Sequence, residues 1–131
     1  MLRVKTFVAE SSGKGLGLFA AQSISVGETT WQYDENFDRT FGMEEVNKLP
    51  QFLQNSFFKY GYFDYSLDRL IVPIDDLRFI NHSELNYNIS SMPEKDIARQ
   101  EISIGEELLC NYRHFEYDYF ERRKLDPSIW K

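Results

Sequence analysis

The chain has 131 residues, ordinary apolar content, abundant aromatics and a formal net charge of −6. That length suits one domain that buries roughly two-thirds of its unfolded surface. The acidic balance argues against nonspecific binding to nucleic acid or anionic membrane, which needs clustered Lys and Arg, and the lone Cys110 excludes an intrachain disulfide and a cysteine-based zinc site.

The start, Met1 to Ala9, alternates instead of forming the apolar block of a signal peptide, and no apolar run approaches membrane-spanning length. An intracellular, cytoplasmic location is expected. Leu2, Val4, Phe7 and Val8 predict a first strand. A loop with glycines at 13, 15 and 17 follows, and the apolar run Leu18 to Ala21 resumes a strand. Ser25-Val-Gly-Glu28 reads as a turn before a strand over Thr29–Tyr33, which is rich in β-branched and aromatic residues. Asp34 to Thr40 is polar and irregular. From Gly42 the period changes: Met43, Val46, Leu49, Phe52, Leu53, Phe57 and Phe58 recur at three- and four-residue steps, as in an amphipathic helix that Pro50 divides.

A strand over Leu70–Ile74 comes next, then a hairpin of Tyr87–Met92 with Asp96–Ile102 around Pro93. Ile104-Gly-Glu-Glu107 repeats the turn chemistry of Val26-Gly-Glu28, and Leu108–Tyr112 reads as a last short strand. The tail from Phe115 to Leu125 predicts a short helix. Many short strands, glycine turns and one helical insert give an α+β, mainly β domain spanning 1–131.

The stretch Arg78-Phe-Ile-Asn-His-Ser83 stands out. An apolar pair leads straight into three polar side chains, which need partners if desolvated. They either cap a structural turn or meet a polar ligand. Gly15 and Gly17 permit close approach of backbone to a ligand, or they only shape a hairpin. Cys110 and His82 form a nucleophile and base only if the fold joins them; Cys110 otherwise reads as a buried apolar residue among Leu108, Leu109 and Tyr112. No ligand spacing joins His82 and His114 to carboxylates, so no metal is expected.

Taken in order, four stretches resemble the SET-domain protein lysine methyltransferases. They are Gly13-Lys-Gly-Leu-Gly-Leu-Phe-Ala20, Val26-Gly-Glu28, Arg78-Phe-Ile-Asn-His-Ser83 and Ile102-Ser-Ile-Gly-Glu-Glu-Leu-Leu-Cys-Asn-Tyr112. The resemblance covers about Leu2 to Phe120. It implies a β-clip-like fold of several small sheets with a helical insert over about 34–65 and a closing segment over about 113–131, threaded in a knot-like way. It implies transfer of a methyl group from S-adenosylmethionine to a lysine amine of a protein or peptide. In this resemblance Lys14, Gly15, Leu16 and Gly17 lie against the cofactor, as do Asn81 and His82, with Arg78 and Phe79 lining or supporting the pocket. Tyr112 is the catalytic residue, and Phe115 is expected over the adenine. Tyr33, Tyr62 and Tyr65 are candidate walls of a substrate channel. The chain departs from the family in carrying Asn86-Tyr-Asn88 where Pro-Asn is common, and in lacking cysteine-rich flanks. A cofactor-retaining binding module without catalysis is the alternative to an enzyme.

Neutral aromatics suit such chemistry. Freeing a lysine lone pair at pH 7 costs about 4.6 kcal/mol from a reference pKa near 10.4. A desolvated channel beside a cationic methyl donor favours the neutral amine.

Overall fold

The structure, a computed structural model, describes residues 1–126 and Ser128. Residues 127 and 129–131 of the expected closing segment therefore lie outside the described residues. The chain opens with strands β1 (Thr6–Ser11) and β2 (Gly15–Ala20), an antiparallel hairpin that pairs Ser11 with Gly15 at its tip. The first strand starts later than the apolar pattern predicts. Leu2 instead forms an isolated bridge to Trp31. Then follow β3 (Thr29–Gln32), β4 (Arg39–Phe41), helix α1 (Met43–Asn47) and helix α2 (Gln51–Tyr60). Pro50 is the N-cap of α2, so the predicted division of the helical stretch is observed.

The second half supplies β5 (Tyr62–Asp64), β6 (Arg69–Val72), β7 (Asn81–His82), β8 (Ile89–Ser91), β9 (Lys95–Ala98), β10 (Leu109–Cys110) and helix α3 (Tyr119–Arg123). β8 and β9 form the predicted hairpin, with Ser91 opposite Asp96. β4 and β5 were not predicted. Both are three residues long and exist because β6 lies between them and pairs with each. Segments that short carry no readable period, and their pairing is purely tertiary.

Strands β4, β6 and β5 make one small sheet, while a five-stranded sheet runs β3-β9-β8-β10-β7. A core of Leu18, Ile24, Trp31, Ile89, Ile102 and Leu108 joins the hairpin to the larger sheet. A second cluster of Val46, Phe63 and Leu70 seats the helical insert through Phe57 and Phe58, whereas Phe52 of the predicted apolar stripe faces solvent at 69% exposure. This is the α+β, mainly β architecture expected.

The repeated turn chemistry has a structural counterpart. Ile24 and Ile102 exchange reciprocal backbone hydrogen bonds of 2.9 Å. Downstream of each, a Glu carboxylate accepts from the backbone N–H three residues earlier: Glu28 from Ser25 at 3.0 Å and Glu106 from Ser103 at 3.1 Å. Gly27 and Gly105 both take positive φ, at 83° and 88°. Similar sequence here builds two similar turns related across one bridge.

The late strand β10 is inserted between β7 and β8 and runs parallel to both. Its neighbours are consecutive in the chain, so the 83–88 connection has to cross β10. This is the knot-like threading implied by the motifs. Side chains lock it. Asn88 donates to the Glu107 carbonyl and accepts from Leu109 N–H, both at 2.9 Å. His82 is buried, packs edge-on to Phe120 at 4.8 Å, and its Nδ1 accepts from the Tyr112 N–H at 3.1 Å.

The chain beyond β10 folds back around a buried carboxylate, Glu116, that pairs with Arg123 and with Arg122. Glu116 is wholly buried and accepts from Arg123 at 2.8 and 3.1 Å and from the Phe63 N–H at 2.9 Å. Arg123 also donates to the Phe58 and Gly61 carbonyls at 2.8 and 3.1 Å and lies 3.6 Å from the Tyr119 ring centre. One guanidinium thus ties α3 to the end of α2.

Without Arg123 the buried Glu116 keeps only the partly exposed Arg122, 3.2 Å away, and the loss is smaller than for a wholly unpaired charge. Arg123→Met is expected to lower the unfolding free energy by about 3 kcal/mol in chemical denaturation. A second expectation concerns pH. Burial lowers the His82 pKa from its ordinary 6.5 to about 4. Between those values the unfolded chain takes up a proton that the folded chain refuses. Stability is therefore full above about 6.5 and falls as pH drops toward 4. Equilibrium unfolding across that range measures the loss, which His82→Gln should abolish.

Candidate active site

Two cavities meet around Tyr112. One is a wide cleft of about 880 Å³, bordered by Lys14, Gly15, Leu16, Phe79, Asn81 and His82 on one side and by α2 and α3 residues on the other. The second is narrow, about 50 Å³, with walls that include Trp31, Tyr62, Ile80, Cys110 and Phe115. Lys59, Tyr60, Arg78, Ile80, Tyr112 and Tyr119 border both.

The threading explains why distant motifs converge. Pairing of Leu109 with Asn81 and Cys110 with His82 carries Tyr112 back to the Arg78–Ser83 stretch. The Tyr112 hydroxyl donates to the Ile80 carbonyl at 2.5 Å. Burial, reinforced by Tyr119, raises its pKa well above the ordinary phenol value, so it stays neutral. The Tyr119 ring lies 4.4 Å from that of Tyr112. With its proton committed to a carbonyl, the phenol oxygen is left able to accept a hydrogen bond and is unsuited to act as a base.

A small polar clamp fixes the glycine loop against the same corner. Asn81 donates from Nδ2 to the Leu16 carbonyl and to Glu107 Oε1, both at 2.9 Å. Ser11 donates to Glu107 Oε2 at 3.0 Å. Gly17 sits inside this clamp: a Cβ there would lie 2.3 Å from Glu107 Oε1 and 3.1 Å from Asn81 Nδ2. Gly17 is thus a packing glycine and does not border the cleft, whereas Gly15 does. Lys14 reaches across to donate to the His82 carbonyl at 2.9 Å.

The predicted residues divide clearly. Lys14, Gly15, Leu16, Arg78, Phe79, Asn81 and His82 all border the wide cleft. Arg78 lies 5.0 Å from the Phe79 ring centre, which supports one wall. Phe115, expected over an adenine, borders the narrow cavity instead, 4.9 Å from Tyr62. The short helical turn at Tyr112–His114 swings it to that side. Of the three candidate channel tyrosines, only Tyr62 borders the narrow cavity. Tyr33 borders neither cavity and packs at the edge of the main core. Tyr65 is a surface residue, 42% exposed, donating to Asp118 at 2.5 Å and accepting from Arg122 at 2.9 Å.

The sequence reading missed Trp31, Tyr60, Ile80, Asp96 and Tyr119 as cavity residues. Ile80 acts through its backbone and Trp31 through a core position, so neither carried a chemical signal. Tyr119 lay within an aromatic tail whose helix was predicted but whose direction was not. The Cys110 thiol is buried, and burial together with the nearby Asp96 raises its pKa well above the ordinary thiol value. His82 Nδ1 is taken by Tyr112 and its buried Nε2 has no hydrogen-bond partner, so no hydrogen bond joins His82 to Cys110 as a nucleophile–base pair requires.

Comparison with known proteins agrees with this geometry. The family model described as the SET domain matches residues 15–113. No curated protein matches. Among solved structures, polycomb repressive complex 2 of Chaetomium thermophilum is similar at 23% identity and a TM-score of 0.62, over 83% of this chain and 15% of that one. A form of that complex bound to S-adenosylmethionine gives 23%, 0.64, 92% and 17% in the same order. A Plasmodium falciparum protein described as a candidate histone methyltransferase gives 21% identity and a TM-score of 0.61, over 88% of this chain and 99% of that one. The chain spans less than a fifth of the length of the polycomb chains. The match over most of the chain, with three of the four motifs gathered at one corner of the fold, makes this protein a member of the SET-domain family.

Proposed function

We propose that the protein is an S-adenosylmethionine-dependent protein-lysine N-methyltransferase. The observation that carries this reading is the meeting of a wide cleft and a narrow aromatic cavity at the neutral Tyr112 hydroxyl. The cleft has the size of a small-molecule site. Its border combines cationic Lys14 and Arg78 with the Asn81 Oδ1 acceptor and the backbone of Gly15 and Leu16, polar groups that suit a ligand bearing a carboxylate and an adenosine. In that fit Lys14, Gly15, Leu16, Arg78, Phe79, Asn81 and His82 hold the cofactor, and Gly17 keeps the loop close. The cofactor supplies an electrophilic methyl group on a sulfonium.

The narrow cavity has the width and apolar walls to suit an unbranched amine. Tyr62 and Phe115 wall it, and burial keeps Tyr62 neutral as well. The Tyr112 oxygen, fixed by Ile80, accepts a hydrogen bond from the amine and aims its lone pair toward the cleft. Most of the acceleration then comes from alignment. The substrate is a lysine of a protein or peptide. A neighbouring solved structure holds S-adenosylmethionine, which supports the cofactor assignment by family likeness.

Tyr112→Phe is expected to lower kcat by about 10²-fold in a labelled methyl-transfer assay with mixed protein substrates. Its unfolding free energy should fall by no more than about 1.5 kcal/mol, the worth of one hydrogen bond. Equal rates in the two proteins would remove Tyr112 from the mechanism. Asn81→Ala should weaken S-adenosylmethionine binding about tenfold in calorimetry, by releasing the Leu16 carbonyl from the clamp. Tight cofactor binding with no transfer to a broad peptide array would instead favour a binding module.

A further inference from the structure

One group in the narrow cavity has no part in the mechanism above. Asp96 of β9 borders it and is only 7% exposed. Every other titratable wall of that space is a phenol, a thiol or a cation: Tyr60, Tyr62, Tyr112, Tyr119, Cys110, Lys59 and Arg78. Beside it across the strand pair lies Trp31, whose buried Nε1 has no hydrogen-bond partner. A buried carboxyl and a tryptophan with an unpaired indole N–H therefore lie side by side at this pocket. Both are costly to bury without a polar guest.

We propose that Asp96 takes the proton from the substrate amine, so that the narrow cavity neutralises the lysine it admits. This rests on the methyltransferase reading and adds a base to it. The lysine arrives as an ammonium, drawn by the carboxylate. Its N–H bond breaks, an O–H bond forms on Asp96, and the electron pair stays on nitrogen. In a desolvated space the neutral acid and neutral amine are favoured over the ion pair. The freed lone pair attacks the sulfonium methyl group, the carbon–sulfur bond breaks toward sulfur, and Asp96 returns its proton to solvent when product leaves. An amine inside that cavity has Asp96 and Tyr112 among its walls.

The electrostatics fit this role. Burial raises the Asp96 pKa to about 7, against the lowering effects of Ser91 and the amino terminus. Facing it are Tyr62 of β5, Cys110 of β10, Ser91 of β8 and Trp31 of β3, while Lys59 and Arg78 border the same cavity. Such a carboxyl is ionised above about 7 and is a far stronger proton acceptor there than an ordinary Asp.

Two measurements on the whole chain test this. The first uses n-butylamine, a mimic of the lysine side chain, without cofactor. In infrared difference spectra at about pH 8, above the Asp96 pKa, its binding should raise a protonated-carboxyl band. That band should be missing in Asp96→Asn and in the apolar Asp96→Leu. The second is methyl transfer from S-adenosylmethionine to a pool of lysine-bearing peptides. Wild-type kcat/KM should rise through about pH 7 and level off. Asp96→Asn should be slower by about 10²-fold at neutral pH and gain about tenfold per pH unit toward the free-lysine pKa. A purely structural Asp96 would lower the rate equally at every pH. A wild-type protein that transfers methyl groups, with an Asn variant of the same pH profile or with no carboxyl band, overturns the proposal. No transfer by the wild type at any pH refutes the methyltransferase reading, and the infrared result still decides for or against Asp96.

Discussion

The organisation of the molecule depends on two residue pairs of parallel sheet. Leu109 beside Asn81 and Cys110 beside His82 make a short ladder, yet they join segments separated by more than twenty residues. Such a ladder is weak alone. It persists because Asn88 satisfies the backbone on one flank and His82 accepts from Tyr112 just beyond the other. Once β10 is seated, the Tyr112 hydroxyl has one nearby acceptor, the Ile80 carbonyl, and the corner between the two cavities is set.

Around that corner the protein uses polar groups as spacers more than as surface decoration. Glu107 holds Asn81 and Ser11, Asn81 holds the glycine loop, and Lys14 holds the strand carrying His82. Each bond crosses between elements far apart in the chain. Networks of this kind specify one arrangement, because a half-satisfied version costs more than none. The same logic governs the tail, where Glu116 and Arg123 close α3 onto α2 and so define the far side of the cleft.

The narrow cavity shows what burial does to function. It raises the pKa values of Tyr62, Tyr112, Cys110 and Asp96 together. For the phenols and the thiol the result is silence: they stay neutral and serve as walls. For the carboxyl the same desolvation brings the pKa into the working range, where it can exchange a proton. One physical effect therefore gives inert and responsive groups side by side, according to their reference values.

Much of the site was legible in the sequence. The glycine turns, the Arg78–Ser83 run and the Gly105-Glu-Glu-Leu-Leu-Cys-Asn-Tyr112 run depend on local chemistry: positive φ, short polar side chains, and an apolar strand ending on a phenol. Local chemistry also divided the helical insert at Pro50 and located the Ile89–Ala98 hairpin. The side of the molecule that each aromatic faces was not legible. Phe115 turned into the narrow cavity, Tyr65 to the surface and Tyr33 to the core edge, because those directions follow from the helical turn after Tyr112 and from pairings with β6 and β9. Asp96 looked like any acidic residue in a hairpin strand. Only its placement opposite Trp31 and above Cys110 took it out of water, since composition fixes which groups can titrate and long-range packing sets the dielectric in which they do so.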